Sequence, residues 1–390
     1  MDLAPAAGED PVVYEPVLGQ WFVFGYDEVR AALADDERLT NDRMHGFEDR
    51  APPDAVDAIR RHAPWVLSAE GADYDWVRWV LHAGLRGATG EASARAVASA
   101  AHELLDDLVE RDGFDVATDY AFPLTARILA DFLGVDRRDG DRLVGWALDL
   151  VDFFNDQEIT AERTERMARS AAEMIAYAHA LMTEHPGELR SGFLELVARS
   201  AAGRGRELDD DTVGNFTLPF LTGEIGVTHL IANTVWLLLE HDDQRARVAA
   251  DPSLVAGAIA ETLRYAPPVL LIPRIALESV ELGGHVVRPG EVVRLSVGAA
   301  NRDPIRFPEP DRFDVNRTQA GALGFGHGAH SCIGAGVTRL QTPIAVGALL
   351  ERASEIELDG EPVWSAVPGV QGIEGLGVRR RAARAARRAR

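Results

Sequence analysis

Hydrophobic and polar positions along the chain predict a mainly helical protein with a small β part. The first elements are two short runs rich in β-branched and aromatic residues, Val12–Tyr14 and Trp21–Phe24, on either side of a turn signal at 18–19. Asp27 is placed to cap a helix that follows them. From about residue 91 to 239 the apolar positions recur with the period of a helix.

Strand-like alternation returns in two segments of the second half. These are Val280–Val287 and Glu291–Val297, and Gly-Gly and Pro-Gly pairs at 283–284 and 289–290 predict the turns. We therefore expect one small antiparallel sheet there, followed by a last helix from about Ile333 to Arg352.

No internal repeat and no long Gly/Ser-rich or Pro-rich linker divides the chain. We expect one domain over residues 1–378 and a tail over 379–390, made of Arg and Ala only. A helix of that composition has no apolar face, so we expect a frayed tail, with a polybasic lipid anchor as the alternative.

Composition and charge exclude several function classes. The 390 residues are 46% hydrophobic and 26% charged, which is typical of a packed globular protein. A net charge of −22 argues against a general nucleic-acid binder. The sequence has neither a signal peptide nor a stretch long enough to span a membrane, and it has one cysteine, so we expect a cytoplasmic protein.

That cysteine, Cys332, lies in a glycine-rich segment, Phe325-Gly-His-Gly-Ala-His-Ser-Cys-Ile-Gly334. The glycines permit tight turns, and the N-terminus of the helix that follows favours a thiolate. Such a thiolate is a metal ligand or a nucleophile. Taken alone, the segment also fits a buried structural cysteine, and a zinc site would need more Cys or His ligands than His327 and His330.

The segment resembles the haem-thiolate loop of the cytochrome P450 family, whose pattern is Phe-Gly-x-Gly-x-His-x-Cys-x-Gly. Three further matches occur in the family's order: Glu261-Thr-Leu-Arg264, Asn301-Arg-Asp-Pro304 and Phe307-Pro-Glu-Pro-Asp-Arg-Phe313. The resemblance implies the mainly α cytochrome P450 fold, haem b as cofactor and Cys332 as the axial thiolate to its iron, within a loop that begins at Phe325 and Gly326. It further implies a buried ion network of Glu261, Arg264 and Arg312 that braces the loop.

The resemblance also assigns the groups that would hold the haem propionates. They are His330, Arg274 and Arg78, with Tyr74 where the family usually has a histidine. Tyrosine donates a hydrogen bond but carries no positive charge, so this position departs from the pattern.

The helix expected to cross the distal haem face departs further. In Phe216–Asn233, alignment with the family pattern Ala/Gly-Gly-x-Asp/Glu-Thr puts Ile225 at the acid and Gly226 at the threonine. On a helical wheel Thr222, Gly223 and Gly226 share a face, whereas Glu224 and Thr228 point away. Thr222 is therefore the candidate surrogate hydroxyl, and a bond to its own helix backbone is its alternative role.

By resemblance, the protein is an oxidoreductase that modifies a small-molecule specialised metabolite by hydroxylation, oxidative coupling or cyclisation. Ferredoxin and ferredoxin reductase would supply electrons, a carrier protein is a possible further partner, and proton delivery would be non-standard. The alternatives are a peroxide-dependent peroxygenase and a non-catalytic haem-binding protein. Six residues are expected to line an apolar substrate pocket, with core packing as the competing role: Phe220, Leu221, Ile225, Val227, Leu270 and Ile272.

Overall fold

The computed structural model describes residues 10–42, 51–62, 74–155, 159–318 and 321–381. Within these ranges, the side chains at 61, 62, 74, 75, 78, 154, 155, 211, 218, 219, 221 and 222 lie outside the description. None of the described helices is both long enough and apolar enough to cross a bilayer.

Helices form most of the described structure, as the apolar pattern predicts. In chain order they are α1 Tyr26–Ala34, α2 Pro53–His62, α3 Tyr74–Gly87, α4 Glu91–Leu108, α5 Phe122–Leu133, α6 Gly140–Asn155, α7 Ala161–Thr183, α8 Phe193–Gly203, α9 Asp210–Glu240, α10 Asp242–Ala250, α11 Val255–Tyr265, α12 Val297–Ala300 and α13 Ala335–Arg352. A π-helical segment, Val116–Ala121, leads directly into α5.

The strands are short. They are β1 Val12–Glu15, β2 Gln20–Val23, β3 Leu39–Thr40, β4 Gly113–Asp115, β5 Leu271–Ala276, β6 Val280–Leu282, β7 His285–Val287, β8 Val292–Ser296, β9 Ile356–Leu358, β10 Val363–Trp364, β11 Ile373–Gly375 and β12 Gly377–Arg380. The largest sheet has the order β1-β2-β8-β5-β3, in which β2 is parallel to β8 and β5 is antiparallel to β8. Ile272 pairs with Leu295 in that sheet.

Two local expectations are wrong. The segments at 280–287 and 291–297 do not form one sheet, because β6 and β7 make a separate hairpin while β8 joins the N-terminal strands. Strand alternation gives the strand but not its partner, which is chosen by long-range packing. Asp27 is not the cap of α1, since Gly25 occupies that position and Asp27 lies in the first turn.

The core is divided into three apolar clusters, and α9 belongs to two of them. Phe216 and Phe220 lie in a cluster built mainly from α5 to α8, whereas Leu230 and Val235 lie in a cluster with α4, α11 and α13. The third cluster lies between the largest sheet and α1. Because α9 packs into both clusters, its position is fixed at two places along its length.

The end of the domain is slightly later than the composition suggests. Arg379 and Arg380 belong to β12, where they pair with Glu357 and Ile356 of β9. The strand therefore includes the first two residues of the Arg/Ala segment, and residues 382–390 lie outside the described residues.

Candidate active site

The loop that carries Cys332 is held by its own backbone hydrogen bonds. The Cys332 N–H donates to the Phe325 carbonyl at 2.8 Å, and the Ser331 N–H donates to the Gly328 carbonyl at 3.1 Å. Gly326 and Gly328 have φ of 70° and 79°, a region that disfavours residues with a Cβ. The loop therefore needs its glycines to close the turn before α13.

Close contacts fix this loop to two helices. A Cβ on Gly328 would lie 2.8 Å from the Leu33 carbonyl oxygen of α1, and a Cβ on Gly324 would lie 2.6 Å from the Leu263 oxygen of α11. Both distances are too short for a side chain. The cysteine loop is consequently held at a fixed place relative to α1 and α11.

The Cys332 side chain is exposed, yet the protein mass around it raises the pKa of the thiol. This pKa is lowered by hydrogen bonds from the Gly334 and Ala335 N–H groups and by the charge of Arg339, but burial raises it by more. The local N–H groups therefore act in the direction that the sequence predicts, while burial opposes them in the protein alone. A bound cation would supply the missing charge stabilisation, since metal binding displaces the thiol proton.

The predicted ion network behind the loop contains Glu261 and Arg264 but not Arg312. Arg264 donates from Nε and Nη2 to the two oxygens of Glu261, at 2.9 and 2.8 Å, and both side chains are fully buried. The second arginine is Arg317, whose Nε donates to Glu261 Oε1 at 3.0 Å. Arg312, the predicted partner, is half-exposed and pairs with Glu309 and Asp314.

Arg312 contributes its backbone rather than its guanidinium. Its carbonyl oxygen accepts from Arg264 Nη2 at 3.2 Å and from Arg317 Nη2 at 3.0 Å. Two arginines five residues apart in one loop look equivalent in sequence. No local signal distinguishes them, because the loop path decides which side chain turns inward.

Asn301 joins this network to the cysteine loop. Its Oδ1 accepts from the Leu323 N–H at 2.7 Å, its Nδ2 donates to the Leu263 carbonyl at 3.3 Å, and its own carbonyl accepts from Arg264 Nη1 at 3.0 Å. The side chain is fully buried. The Asn-Arg-Asp-Pro match thus marks a structural link between α11 and the loop.

Arg274 is the clearest candidate for holding an anionic group. Its side chain is buried, and burial lowers the pKa of the guanidinium. The described hydrogen bond of this guanidinium is to the neighbouring Pro273 carbonyl at 3.0 Å, and no carboxylate of the described residues lies within ion-pair distance. A buried cation of this kind is stabilised by an anionic partner such as a haem propionate.

The other propionate candidates are resolved to different degrees. His330 is partly exposed, and its Nδ1 lies 2.9 Å from Asn41 Nδ2. Tyr74 and Arg78 lie on α3, but their side chains are outside the described part. The residues therefore fit a haem at this place: an exposed thiol, a buried cation without a described anionic partner, and open space beside the distal helix.

That distal helix, α9, is unbroken from Asp210 to Glu240. A Cβ on Gly223 or Gly226 would meet no atom within 4 Å, so both glycines border open space. Thr228 is fully buried, and its Oγ1 lies 2.7 Å from Thr125 Oγ1 on α5. Thr228 therefore faces α5 and is turned away from the open side, as the helical wheel predicts.

The structure changes the assignment of three predicted pocket residues. Phe220, Ile225 and Val227 are each less than a tenth exposed and belong to the apolar core clusters. Core packing, the competing role, is the one the structure shows. Phe220, for example, packs against the rings of Phe132 and Phe193 at centroid distances of 4.7 and 4.6 Å, and these two rings also stack on each other at 5.3 Å.

The remaining pocket candidates lie elsewhere. Ile272 is partly exposed, and its Cδ1 lies 4.0 Å from the Cβ position of Gly326, so it reaches the cysteine loop. Leu270 is also partly exposed and contacts Gly298. Leu221 and Thr222 lie on α9, but their side chains are outside the described part.

Three features together indicate a haem-thiolate protein: a glycine-rich loop that holds an accessible cysteine, a buried ion pair behind it, and a long helix beside an open space. A family model described as Cytochrome P450 matches residues 249–364. Cytochrome P450 107B1 of Saccharopolyspora erythraea is 32% identical over 375 residues, covering 93% of this chain and 89% of the relative. The chain belongs to the cytochrome P450 family.

Two further comparisons agree. Cytochrome P450 monooxygenase PikC of Streptomyces venezuelae is 33% identical over 94% of this chain and 87% of its own length. The solved structure of P450BioI in complex with hexadec-9Z-enoic acid ligated Acyl Carrier Protein superposes with a TM-score of 0.81, at 26% identity and 95% coverage of both chains. Other curated relatives are named hydroxylases or epoxidases. The protein is a P450-type oxidoreductase, and its cofactor is haem with an axial cysteine thiolate.

Proposed function

We propose that this protein is a cytoplasmic monooxygenase that modifies a small specialised metabolite, with electrons from ferredoxin and ferredoxin reductase. Its relatives named as monooxygenase, hydroxylase or epoxidase support the reaction class. Haem, when bound through Cys332, supplies the oxidising chemistry, and thiolate donation favours O–O cleavage. The sulfur is kept in place by the network of Glu261, Arg264, Arg317 and Asn301. The propionates are bound by Arg274, His330 and Arg78.

One observation carries the finer proposal of a non-standard proton route. The positions of the family's acid and threonine are a buried isoleucine, Ile225, and a glycine, Gly226, on a helix that stays regular. Reduction of dioxygen to one inserted oxygen and one water consumes two protons, which must come from elsewhere. The candidate sources are a polar group of the substrate, ordered water beside Gly223 and Gly226, and the Thr222 hydroxyl.

Product analysis under isotopically labelled dioxygen tests this function. With ferredoxin, its reductase and NADPH, we expect one labelled oxygen in the product of each turnover. A product without label identifies oxidative coupling or cyclisation, and turnover with hydrogen peroxide alone identifies a peroxygenase. Absence of any product over the candidate substrates supports a non-catalytic haem-binding protein.

The substrate form is a second variable of the same experiment. The neighbour P450BioI was crystallised with an acyl carrier protein. Each candidate substrate that has a carboxyl group is therefore offered both free and loaded on a carrier protein. A strong preference for the loaded form would assign a carrier protein as a partner. Equal rates would assign the free small molecule as the substrate.

The Thr222→Val variant separates the proton routes. Valine keeps nearly the shape of threonine but has no hydroxyl. A severe loss of turnover with intact substrate binding and haem content would assign the relay to Thr222. Unchanged turnover would leave the route to water, the substrate or another side chain.

A further inference from the structure

Asn41 lies at the point where the edge of the largest sheet meets the cysteine loop. It directly follows β3, whose last residue, Thr40, is paired antiparallel with Ile275 of β5. Continuing this register by one residue brings Asn41 beside Arg274. The Nδ2 of Asn41 also lies 2.9 Å from the Nδ1 of His330. One amide is therefore next to two of the residues assigned to the haem propionates.

The fold holds the backbone around this amide. Thr40 is buried, and its Oγ1 accepts from the N–H of the residue after Asn41 at 3.0 Å. Earlier in the same segment, the Leu33 carbonyl oxygen lies 2.8 Å from the Cβ position of Gly328. The segment thus contacts the cysteine loop at two places, Gly328 and His330, which fixes Asn41 relative to that loop.

The contact between Asn41 and His330 has a defined direction. An amide nitrogen donates and does not accept, so His330 Nδ1 accepts and the ring proton is on Nε2. The two ring nitrogens point in different directions, so the Nε2–H is directed away from Asn41. A carboxylate accepts hydrogen bonds, and this tautomer of His330 supplies the matching donor.

This hydrogen bond contributes little to folding by itself. Asn41 is exposed and His330 is partly exposed, and water competes for hydrogen bonds between such groups. Loss of the bond should therefore leave the fold intact. Its effect is expected on the group that the His330 ring binds.

We propose that Asn41 is a positioning residue for the haem, because it holds the His330 ring with Nε2–H as the donor to a propionate, beside the guanidinium of Arg274. The end of β3, β5 and the cysteine loop then form one carboxylate-binding site. Asn41 is 289 residues before His330, so the loop motif gives no sign of it. This role rests on the proposed function, in which His330 binds a propionate.

The first test reads the tautomer of His330. Nitrogen NMR of the histidine rings is recorded on the reduced carbon monoxide complex of the holoenzyme at about pH 8, where histidine is normally neutral. The His330→Leu variant assigns the signals. In the wild type we expect a proton on Nε2 and none on Nδ1, whereas Asn41→Leu, which has a similar branched shape but no side-chain N–H, should show both tautomers. A proton on Nδ1 in the wild type, or an unchanged spectrum in Asn41→Leu, would overturn the proposal.

The second test measures haem retention as the rate of haem transfer from the holoenzyme to apomyoglobin. We expect Asn41→Leu to lose haem about 2- to 10-fold faster, the usual effect of one hydrogen bond between neutral groups, with an unchanged circular dichroism spectrum. Arg38→Ala is the matched control, since Arg38 is exposed on the same segment and pairs with Asp35. Equal acceleration in the two variants would contradict a specific role of Asn41.

The double variant Asn41→Leu/His330→Leu separates positioning from packing. If Asn41 acts through His330, the double variant should lose haem no faster than His330→Leu alone. Additive losses would show that Asn41 acts independently and would overturn the proposal. Faster loss in His330→Leu with wild-type retention in Asn41→Leu would reject the role of Asn41 alone. An unchanged rate in His330→Leu would reject the propionate role of His330, and the role of Asn41 with it.

Discussion

On the side of Cys332, the Glu261 carboxylate accepts four hydrogen bonds, from two arginines and the Asp314 N–H. On the distal side, Glu224 has an enclosed oxygen without a described partner, and it lies between two glycines that border open space. Glu261 lies on α11 and Glu224 on α9, and both helices pack into the apolar core. Glu261 is paired with two guanidinium groups, whereas burial raises the pKa of Glu224 to about 8.

The difference follows from what each side must do. A metal ligand has to be held at one position, so the loop of Cys332 is fixed by glycine contacts and by Asn301. A side that admits substrate, dioxygen and water needs volume and groups that can exchange protons. Glu261, Arg264 and Asn301 behind the Cys332 loop therefore have hydrogen-bond partners, whereas the distal side has open space and the unpartnered Glu224 Oε2.

The largest expected effect is at the ligand itself. Cys332→Ser removes the thiolate, so the red-shifted Soret band of the reduced carbon monoxide complex should disappear completely. Ser331→Ala, a change at the exposed neighbour, should retain the band. Retention of the band in Cys332→Ser would reject the ligand assignment.

Next in size is the internal ion network. Arg264→Leu leaves Glu261 buried and partly unpaired, which typically costs about 3–5 kcal/mol. Arg317→Ala should also destabilise the protein, whereas the half-exposed Arg312→Ala should change the free energy of unfolding by under about 1 kcal/mol. Denaturant unfolding of the three variants checks this order. Equal losses for Arg312→Ala and Arg317→Ala would restore the assignment made from the sequence.

The distal glutamate gives a pH-dependent effect of opposite sign to that of ordinary paired carboxylates. In the folded protein the pKa of Glu224 is raised to about 8, whereas in the unfolded chain the group has its ordinary pKa of 4.5. Stability should therefore fall as the pH rises from about 5 to 8, by up to about 1.4 kcal/mol per pH unit from this group. The difference in unfolding free energy between wild type and Glu224→Gln isolates the contribution. A difference that does not vary with pH would show that Glu224 is ionised in the folded protein.

A smaller effect is expected at the propionate site. Arg274→Leu removes a charge-assisted hydrogen bond, typically about 1.5–3 kcal/mol, and should weaken haem retention. Arg294→Leu, another buried arginine of the same sheet that bonds Gln20, is a control for the loss of a buried cation. If haem occupancy were unchanged in single variants of Arg274, His330 and Arg78, the propionate assignment would fail.

The smallest effect is expected from restoring the family's acid and threonine on α9. Ile225→Asp with Gly226→Thr should not raise turnover, because the added threonine occupies the open space and the new aspartate replaces a buried core residue. Turnover and coupling of the double variant are the measurements. Strong acceleration with full coupling would show that the glycine is a defect rather than an adaptation.

The sequence by itself determined the features that depend on short spacing. The cysteine turn needs glycines at 326 and 328 because of their φ angles, and Glu261 pairs with Arg264 because positions i and i+3 share a helix face. The helical wheel also predicts that Thr228 points away from the open side, and its contact with Thr125 confirms this. These are local properties of backbone geometry.

Tertiary structure decided the rest. Which arginine joins Glu261 depends on the path of the loop from 308 to 317, and the partner of β8 depends on packing over more than 270 residues. The burial of Glu224 Oε2 arises where α9 lies against other helices, so no pattern within α9 shows it. Desolvation is set by the atoms that surround a group in space, and the sequence specifies those atoms only through the completed fold.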